Sequence, residues 1–312
     1  MRTAFIQTLV NLAKADERIF LIVADLGYSV VESFIKEFPK RFINVGVAEQ
    51  NMTGIATGLA LSGKIVFTYS IANFPTLRCF EQIRNDVCYH NANVKIVSVG
   101  GGLAYGALGM THHGTEDIAI MRALPNMTVV VPGDPIESAL STEAIIRCNG
   151  PCYLRLGKAG EPHIHRITPN FQLGKAITVR NGNDITLIAT GGILYNALQS
   201  ASILAQQGIQ ARVVSMHTIK PLDTEVVAAA AQETNAIITI EEHSIIGGLG
   251  GAVAENLSEM YRSNVILKRL GITDSFCSQV GDQEYLRELY SISVDGIVSS
   301  VISLMKQLKR LR

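Results

Sequence analysis

The chain has 312 residues, about twice the length of an ordinary domain, so two domains are expected. It has zero formal net charge, 47% hydrophobic and 17% charged residues, which excludes a disordered chain and a basic nucleic-acid-binding surface. The five cysteines form no CxxC pair and no apolar run is long enough for a membrane span, which predicts a cytoplasmic protein with reduced thiols.

Hydrophobic runs and helical patterns alternate through the first half of the chain. The runs predict strands near residues 18–24, 64–70, 93–100, 127–131 and 152–156. The apolar periodicity between the runs predicts helices near residues 2–14, 48–62, 76–90, 115–123 and 134–147. Because strands that alternate with helices pair in parallel through right-handed crossovers, this half is predicted to form a doubly wound sheet.

The second half repeats this alternation after the irregular stretch 157–174, which carries Gly, Pro, His and Asn without a clear period. Strands are predicted over 184–189, 211–215, 236–240 and 265–270, and helices near 193–206, 223–233, 249–261 and 294–309. We therefore expect a first domain over 1–165, a linker over 166–180 and a smaller α/β domain over 181–312. The basic tail 306–312 is interpreted as a solvated helix end.

A single acid, Glu49, lies within the apolar and Gly-rich segment Val45–Met52. The segment lies between the hydrophobic runs Ile19–Val23 and Ile65–Tyr69, so Glu49 should stand near a helix start at one end of a parallel sheet. Ligands of α/β proteins bind at such ends. Taken alone, the position suits either a carboxylate that offsets the helix dipole or an acid held for proton chemistry.

The wording of this motif, Asn-Val-Gly-Val-Ala-Glu-Gln-Asn at residues 44–51, resembles the segment with the activating glutamate in transketolases and deoxyxylulose-phosphate synthases. The resemblance implies an α/β protein of two doubly wound domains. These would be a thiamine-diphosphate pyrimidine-binding domain with a mainly parallel sheet, over 1–165, and a smaller transketolase C-terminal α/β domain, over 181–312. Glu49 would then be catalytic and cofactor-binding, through a hydrogen bond to the N1′ atom of the aminopyrimidine ring.

The segment Tyr69–Arg84 resembles the family's aromatic-bearing stretch, whose side chains pack on the aminopyrimidine. Spacing places Pro75 where many members have an aromatic residue, so Phe74 is the first stacking candidate and Tyr69 the second. The alternative, that these aromatic residues belong to the core, stays open. Asp25 follows a predicted strand and is expected either to cap a helix or to line the cofactor site.

The loop Gly109–Asp117 resembles the family's Gly-x-Thr-His loop. On this interpretation His112 is a catalytic residue that faces the sugar substrate, whereas His113 supports the loop. Adjacent histidines point apart and no third ligand is suitably spaced, which disfavours a metal site. The family often has an acidic residue at the position of Leu108, so the substrate preference here is expected to differ.

Two further segments bear on a phosphorylated substrate. Ala24–Ser29 resembles the family's Ala-Asp-Leu segment, whose trailing serine contacts the sugar phosphate, and this nominates Ser29. Cys152–Lys158 ends a predicted strand where relatives often have a phosphate-binding arginine. Lys158 would take that role as a point charge rather than as a bidentate fork.

The family's metal and diphosphate signature, a Gly-Asp-Gly motif followed by an asparagine, is missing from the sequence, which offers only Gly133–Pro135 and Gly281–Gln283. The resemblance therefore implies one half of a split transketolase. A separate diphosphate-binding subunit would hold Mg²⁺ or Ca²⁺ in an α2β2 assembly built around a homodimer of this chain.

The expected reaction is thiamine-diphosphate-dependent transfer of a two-carbon ketol unit from a ketose phosphate to an aldose. The alternatives are the beta subunit of a 2-oxoacid dehydrogenase, a deoxyxylulose-phosphate-synthase-like enzyme, and a non-catalytic scaffold subunit.

Overall fold

The computed structural model describes residues 1–260 and 265–311 and contains two twisted sheets. Six strands of the first half pair in parallel in the order β5-β6-β4-β3-β1-β2. Their bounds are β1 Ile19–Val23, β2 Phe42–Asn44, β3 Ile65–Ile71, β4 Val94–Val99, β5 Thr128–Val130 and β6 Cys152–Leu156. These strands are nearly continuous apolar runs because helices cover both faces of the sheet.

The helices of the first half follow the strands that they cross over. They are α1 Arg2–Ala15, α2 Glu32–Glu37, α3 Glu49–Leu61, α4 Phe80–Gln82, α5 Asp117–Ala123 and α6 Pro135–Ile146. Helix α4 continues as a π-helical turn over Ile83–Cys88, so the predicted helix 76–90 is shorter and irregular. Local chemistry fixes the start of α6, where the Asp134 carboxylate accepts a hydrogen bond from the Glu137 amide and Pro135 occupies the first helical position.

A second sheet of five strands, in the order β12-β11-β8-β9-β7, forms from the second half. The remaining strands are β7 Ile177–Arg180, β8 Ile185–Ala189, β9 Ala211–Ser215, β10 Thr218–Lys220, β11 Ala236–Ser244 and β12 Ile266–Ile272. The remaining helices are α7 Leu194–Gln206, α8 Thr224–Glu233, α9 Leu249–Glu259, α10 Gln283–Leu289 and α11 Val294–Leu311. The predicted fold class, two doubly wound domains with mainly parallel sheets, is confirmed.

Two edge strands depart from the predicted layout. The segment 166–180, predicted as a linker, contains β7, which pairs antiparallel with β9. Strand β10 leaves the second half and pairs antiparallel with β5, so it becomes the seventh strand of the first sheet. Both strands are only three or four residues long, too short to show a period of two in the sequence.

The hydrophobic core continues from one half to the other. One cluster of buried side chains includes Ile22, Met52 and Val129 from the first half together with Val214 and Ile237 from the second. This shared cluster and the transferred strand β10 explain why the two halves form one packed body.

Two sequence predictions extend past the described residues. The predicted helix 249–261 ends at residue 261, and the basic tail 306–312 ends at residue 312, both of which lie outside the part that the structure describes. Within that part, the stretch Gln283–Leu308 is apolar and long enough to cross a membrane by length and composition alone. It contains α10 and α11, and Ile297, Val301 and Leu304 of α11 are buried in the core beneath the second sheet.

Candidate active site

The predicted site residues follow strands that run in parallel, so most of them meet at the carboxyl edge of the first sheet. Strands β1, β3, β4 and β6 all end at this edge. The connections that leave it are residues 24–31, 72–79, 100–116 and 157–176. A crevice at this edge is where α/β proteins bind ligands.

Glu49 is the first residue of α3, and only 1% of its surface is exposed. The turn before it depends on Gly46, whose φ of 71° lies in the left-handed region that favours glycine. One carboxylate oxygen of Glu49 accepts a hydrogen bond of 2.7 Å from Nη1 of Arg78. The predicted position of Glu49 near a helix start at the sheet edge is therefore what the structure shows, with a charge partner added.

Phe74 and His112 lie on the other side of Arg78. The Arg78 guanidinium stands 5.3 Å from the centre of the Phe74 ring, and the His112 ring packs edge-on against Phe74 at a centroid distance of 5.4 Å. Thr111 and His112 share a hydrogen bond of 3.0 Å. The structure thus brings three predicted site residues, Glu49, Phe74 and His112, into one continuous row through Arg78.

The neighbouring histidine, His113, is buried and supports the loop. Its Nε2 lies 3.4 Å from the Gly106 carbonyl oxygen, and burial lowers the pKa of the ring. The other ring nitrogen, Nδ1, is buried without a hydrogen-bond partner among the described residues. The loop is also held by Asn73, whose side-chain amide donates to the Thr111 carbonyl at 3.1 Å.

These residues line a cleft of about 740 Å³ between the two halves of the chain. The first half contributes Asn73, Phe74, Leu77, Arg78, Met110, Thr111, His113, Thr115 and Glu116, and the second contributes Ser244 and residues 272–277. The volume lies within the range of small-molecule and cofactor sites.

A buried polar network fixes the back of the histidine loop. Arg155, which lies near the end of β6, donates to the Asp117 carboxylate at 2.7 Å and to the Gly114 carbonyl at 2.6 Å. A third bond of 2.9 Å reaches the Glu242 carbonyl of β11. The Tyr153 hydroxyl also donates to Asp117, and burial raises the pKa of that phenol well above its ordinary value. The loop is therefore anchored on both sheets.

Asp25 and Ser29 lie at the same edge, in the connection after β1. The Asp25 carboxylate accepts from the Tyr28 hydroxyl at 3.0 Å and from the Asn44 amide at 3.2 Å. Asp25 and Ser29 have φ values of 53° and 61°, in the left-handed region that residues with a side chain seldom adopt. Backbone strain of this kind is frequent at ligand sites.

Lys158 and Tyr69 lie apart from the row formed by Glu49, Phe74 and His112. Lys158 is exposed and lines a smaller crevice of about 270 Å³, with its ammonium 5.2 Å from the Tyr105 ring centre. Tyr69 is 2% exposed and stacks on Phe5 of α1, so the stacking role predicted for it is wrong. It is a core aromatic residue, because the face of β3 that carries it is covered by α1.

The two Gly-Asp sequences serve as helix caps. Asp134 accepts from the Glu137 amide at 2.8 Å, and Asp282 accepts from the Tyr285 amide at 2.9 Å. Within residues 1–260 and 265–311, no three His, Cys, Asp or Glu side chains converge so that they could hold a metal ion. The donors that would bind a metal are thus engaged elsewhere.

Sequence reasoning assigned no role to Arg78, the residue that connects the acid to the aromatic ring. It lies 29 positions from Glu49, and the two meet only because the connection after β3 folds back over the start of α3. No local pattern signals such a pair.

The fold and the cleft together define a two-domain α/β protein with a ligand cleft at the carboxyl edge of a parallel sheet, beside a buried acid and an aromatic ring. Two family models match the sequence. The pyrimidine binding domain of transketolase matches residues 1–160, and the transketolase C-terminal domain matches residues 174–297. The chain belongs to the transketolase family.

Curated relatives of similar length are halves of split enzymes. One such half, from the apulose-4-phosphate transketolase of Phocaeicola vulgatus, is 41% identical, over 98% of this chain and 97% of that protein. A 6-deoxy-6-sulfo-D-fructose transketolase subunit of Clostridium sp. is also 41% identical, over 96% of this chain and 92% of that protein. The chain is thus a transketolase-like subunit of the split type.

Solved structures agree. A split-gene transketolase, described as an inactive β4 tetramer, superposes with a TM-score of 0.87 at 40% identity and covers 97% of this chain and 96% of that one. The deoxyxylulose-phosphate synthase of Geobacter sulfurreducens is more distant, at 36% identity, and this chain spans only 46% of its length.

Proposed function

We propose that this chain is the pyrimidine-binding half of a two-chain transketolase that transfers a two-carbon ketol unit from a ketose phosphate to an aldose. The observation that carries the proposal is the buried carboxyl of Glu49 beside the ring of Phe74 in the cleft between the two halves of the chain. The names of the relatives, which are subunits of transketolases acting on unusual sugars, support the same reaction class.

The residues of the cleft fit the aminopyrimidine part of thiamine diphosphate. A flat aromatic heterocycle needs a ring face and a carboxyl at its edge, and Phe74 and Glu49 offer both within one row. The buried and unpartnered Nδ1 of His113 lines the same cleft and offers a further hydrogen bond to a bound group. When bound, this cofactor supplies a carbon nucleophile that accepts and releases the two-carbon unit.

Each residue of the chain has a separate task in this proposal. Glu49 holds and shares a proton at the edge of the pyrimidine ring, and Phe74 orients that ring by stacking. His112, at the mouth of the same row, contacts the hydroxyl or carbonyl oxygens of the sugar. Ser29 and Lys158 bind the substrate phosphate, and Asp25 shapes the edge between them.

A second chain completes the site. Since Asp134 and Asp282 are helix caps, the diphosphate and its Mg²⁺ or Ca²⁺ are assigned to a separate diphosphate-binding subunit. We propose an α2β2 complex built on a dimer of this chain, located in the cytoplasm.

The test is reconstitution of this chain with a partner that carries the Gly-Asp-Gly motif. Ketol transfer would be measured with xylulose 5-phosphate, apulose 4-phosphate and 6-deoxy-6-sulfofructose as donors, with and without thiamine diphosphate. Glu49→Gln should lower turnover by orders of magnitude in an intact complex, because the acid acts in the chemical step. The matched control is Glu81→Gln, an exposed acid of α4.

The outcomes separate the candidate functions. Activity of the wild-type complex that survives Glu49→Gln contradicts the proposed role of the acid. Formation of a new deoxy sugar from pyruvate would instead favour a synthase. A complex that assembles but neither binds cofactor nor turns over any donor would favour a scaffold subunit.

A further inference from the structure

Arg78 makes two contacts in the cleft, one ionic and one aromatic. Its guanidinium donates to the Glu49 carboxylate at 2.7 Å and stands 5.3 Å from the Phe74 ring centre. The two partners differ in exposure, since the Arg78 side chain is 49% exposed and that of Glu49 is 1% exposed. Arg78 therefore approaches the buried acid from the open side of the cleft.

These contacts have a common physical basis. A buried carboxylate is costly unless a charge partner and hydrogen bonds compensate it. A planar guanidinium can provide both and can lie over an aromatic ring at the same time. Arg78 therefore stabilises the site in the form that the structure shows.

The same contacts are the ones that the pyrimidine ring would need. The edge of that ring requires the carboxyl of Glu49, and its face requires the ring of Phe74. The guanidinium and the heterocycle cannot both occupy the 5.3 Å between Arg78 and Phe74 as stacking partners.

Building on the proposed function, we propose that Arg78 is a positioning residue that occupies the place of the aminopyrimidine and must leave Glu49 when thiamine diphosphate binds. Its exposed position permits this movement. Two further acids, Glu116 and Asp274, line the same cleft and offer the displaced guanidinium a new charge partner. Binding of the cofactor is thus an exchange of one cationic partner of Glu49 for another group.

The exchange predicts the direction of an affinity change. In the wild-type complex, part of the binding free energy is spent on breaking the pair between Arg78 and Glu49. Arg78→Ala removes that cost, so thiamine diphosphate should bind about tenfold more tightly, in line with the strength of a half-exposed ion pair. In a Glu49→Gln background the same substitution should change the dissociation constant by less than about twofold, because there is no ion pair to break.

The experiment is calorimetric titration of thiamine diphosphate with Mg²⁺ into the reconstituted two-chain complex. The variants are Arg78→Ala, Arg78→Lys, Glu49→Gln and the Glu49→Gln, Arg78→Ala double variant. Arg84→Ala is the matched control, since Arg84 lies on the same helical segment but bonds to Asn85. Arg78→Lys should give an intermediate dissociation constant, because lysine keeps the charge but loses the planar contact with Phe74.

Thermal unfolding of the complex without cofactor provides a second readout. Arg78→Ala leaves Glu49 buried without its partner, so this variant should melt at a lower temperature and yet gain more stability than the wild type on adding the cofactor.

Weaker or unchanged cofactor binding by Arg78→Ala would overturn the proposal, and so would an equal effect of Arg78→Ala in the Glu49→Gln background. If Arg78→Ala does not fold, Arg78→Lys decides alone, and a dissociation constant no lower than that of the wild type rejects the exchange. These results leave the proposed function intact when Glu49→Gln still abolishes turnover. A wild-type complex that binds no thiamine diphosphate contradicts the proposed function and this inference together.

Discussion

At the scale of single residues, Lys158 shows how the site extends beyond its central row. It follows β6 at the sheet edge and faces the crevice shared with the second half, which Arg155, Gln283 and Arg287 also line. Arg155 and Arg287 are held there by ion pairs to Asp117 and Glu242. Lys158 is exposed and carries the charge that is free to meet an anion.

Substitution of Lys158 tests the phosphate assignment. In the reconstituted complex, Lys158→Ala should raise the Michaelis constant for phosphorylated donors about tenfold, as expected for loss of one charge-assisted contact. The Michaelis constant for unphosphorylated analogues should not change, and Lys14→Ala, a surface lysine paired with Glu37, serves as the control. Equal effects on both donor classes would rule out the phosphate role.

The cysteines form a second contrast between residues. Cys148 is half-buried at the start of the connection to β6, and its thiol interacts with that of Cys152 beside the buried ammonium of Lys95. The Cys152 hydrogen bond is the main cause that lowers the pKa of Cys148 to about 6. Burial instead raises the pKa of Cys79 and of Cys88 to about 11.

The difference predicts selective reactivity. Near neutral pH, iodoacetamide should modify Cys148 many times faster than Cys79 or Cys88, because only the thiolate is nucleophilic. Peptide mass spectrometry after timed quenching measures the three rates. Cys152→Ser should slow the modification of Cys148 at pH values below the ordinary pKa of cysteine. A rate for Cys148 equal to that of the two buried thiols would contradict the prediction.

At the scale of elements, the histidine loop depends on Arg155, which ties it to β6 and β11. Arg155→Met should destabilise the chain by about 3 to 5 kcal/mol, because it leaves the Asp117 carboxylate buried without its cation. The Arg155→Met, Asp117→Asn double variant should recover part of that loss. Urea unfolding of the free chain measures both, and Arg18→Met, which removes an exposed ion pair with Asp16, is the control. A loss no larger than that of the control would show that the network is dispensable.

The elements that the sequence predicted well are the long apolar strands and the helices between them. Strands such as β3 and β4 are buried on both faces and consist mostly of apolar or small residues, so the run itself defines them. The edge strands β2, β7 and β10 were missed because their short runs carry no period. Pairing of β10 with β5 depends on a tertiary contact between segments that lie far apart in the sequence.

The site was predictable where a motif fixes a local structure. Glu49 at a helix start and His113 as a loop support follow from their segments, and both were found in the predicted positions. Tyr69 was misjudged because an alternating strand exposes one face to the ligand edge and the other to α1, and the sequence does not say which. The pair between Arg78 and Glu49 arises from chain folding over the cleft, which no motif records.

At the scale of the whole molecule, the two halves are joined by side chains of β11 as well as by β10. His243 accepts a hydrogen bond from the Ala119 amide of α5 at 3.2 Å, and burial lowers the pKa of His243 to about 4. The adjacent Glu241 is buried at the start of α9, where its carboxylate accepts from the Leu249 and Gly250 amides at 2.7 Å. The junction therefore contains two buried groups that titrate in opposite senses.

Burial raises the pKa of Glu241 from its ordinary value of 4.5 to about 7, despite the two amide bonds, so the folded chain binds this proton more tightly than the unfolded chain. The stability that Glu241 contributes is fully present below pH 4.5 and is lost as the pH rises through about 7. The loss amounts to about 3 kcal/mol at about 1.36 kcal/mol per pKa unit. His243 acts in the opposite sense, since its contribution is present above pH 6.5 and is lost as the pH falls through about 4.

Glu241→Gln separates the two effects because it removes one titration and leaves the other. The difference in unfolding free energy between the wild type and Glu241→Gln should fall by about 3 kcal/mol from acidic to neutral pH, by linkage. Loss of one amide bond in the variant adds an offset that does not depend on pH, so the slope carries the prediction. Urea titrations at a series of pH values measure it, with Glu255→Gln, an exposed partner of Arg122, as the control that should show no such slope. Parallel pH profiles for the wild type and Glu241→Gln would mean that the junction keeps this carboxyl in one protonation state throughout.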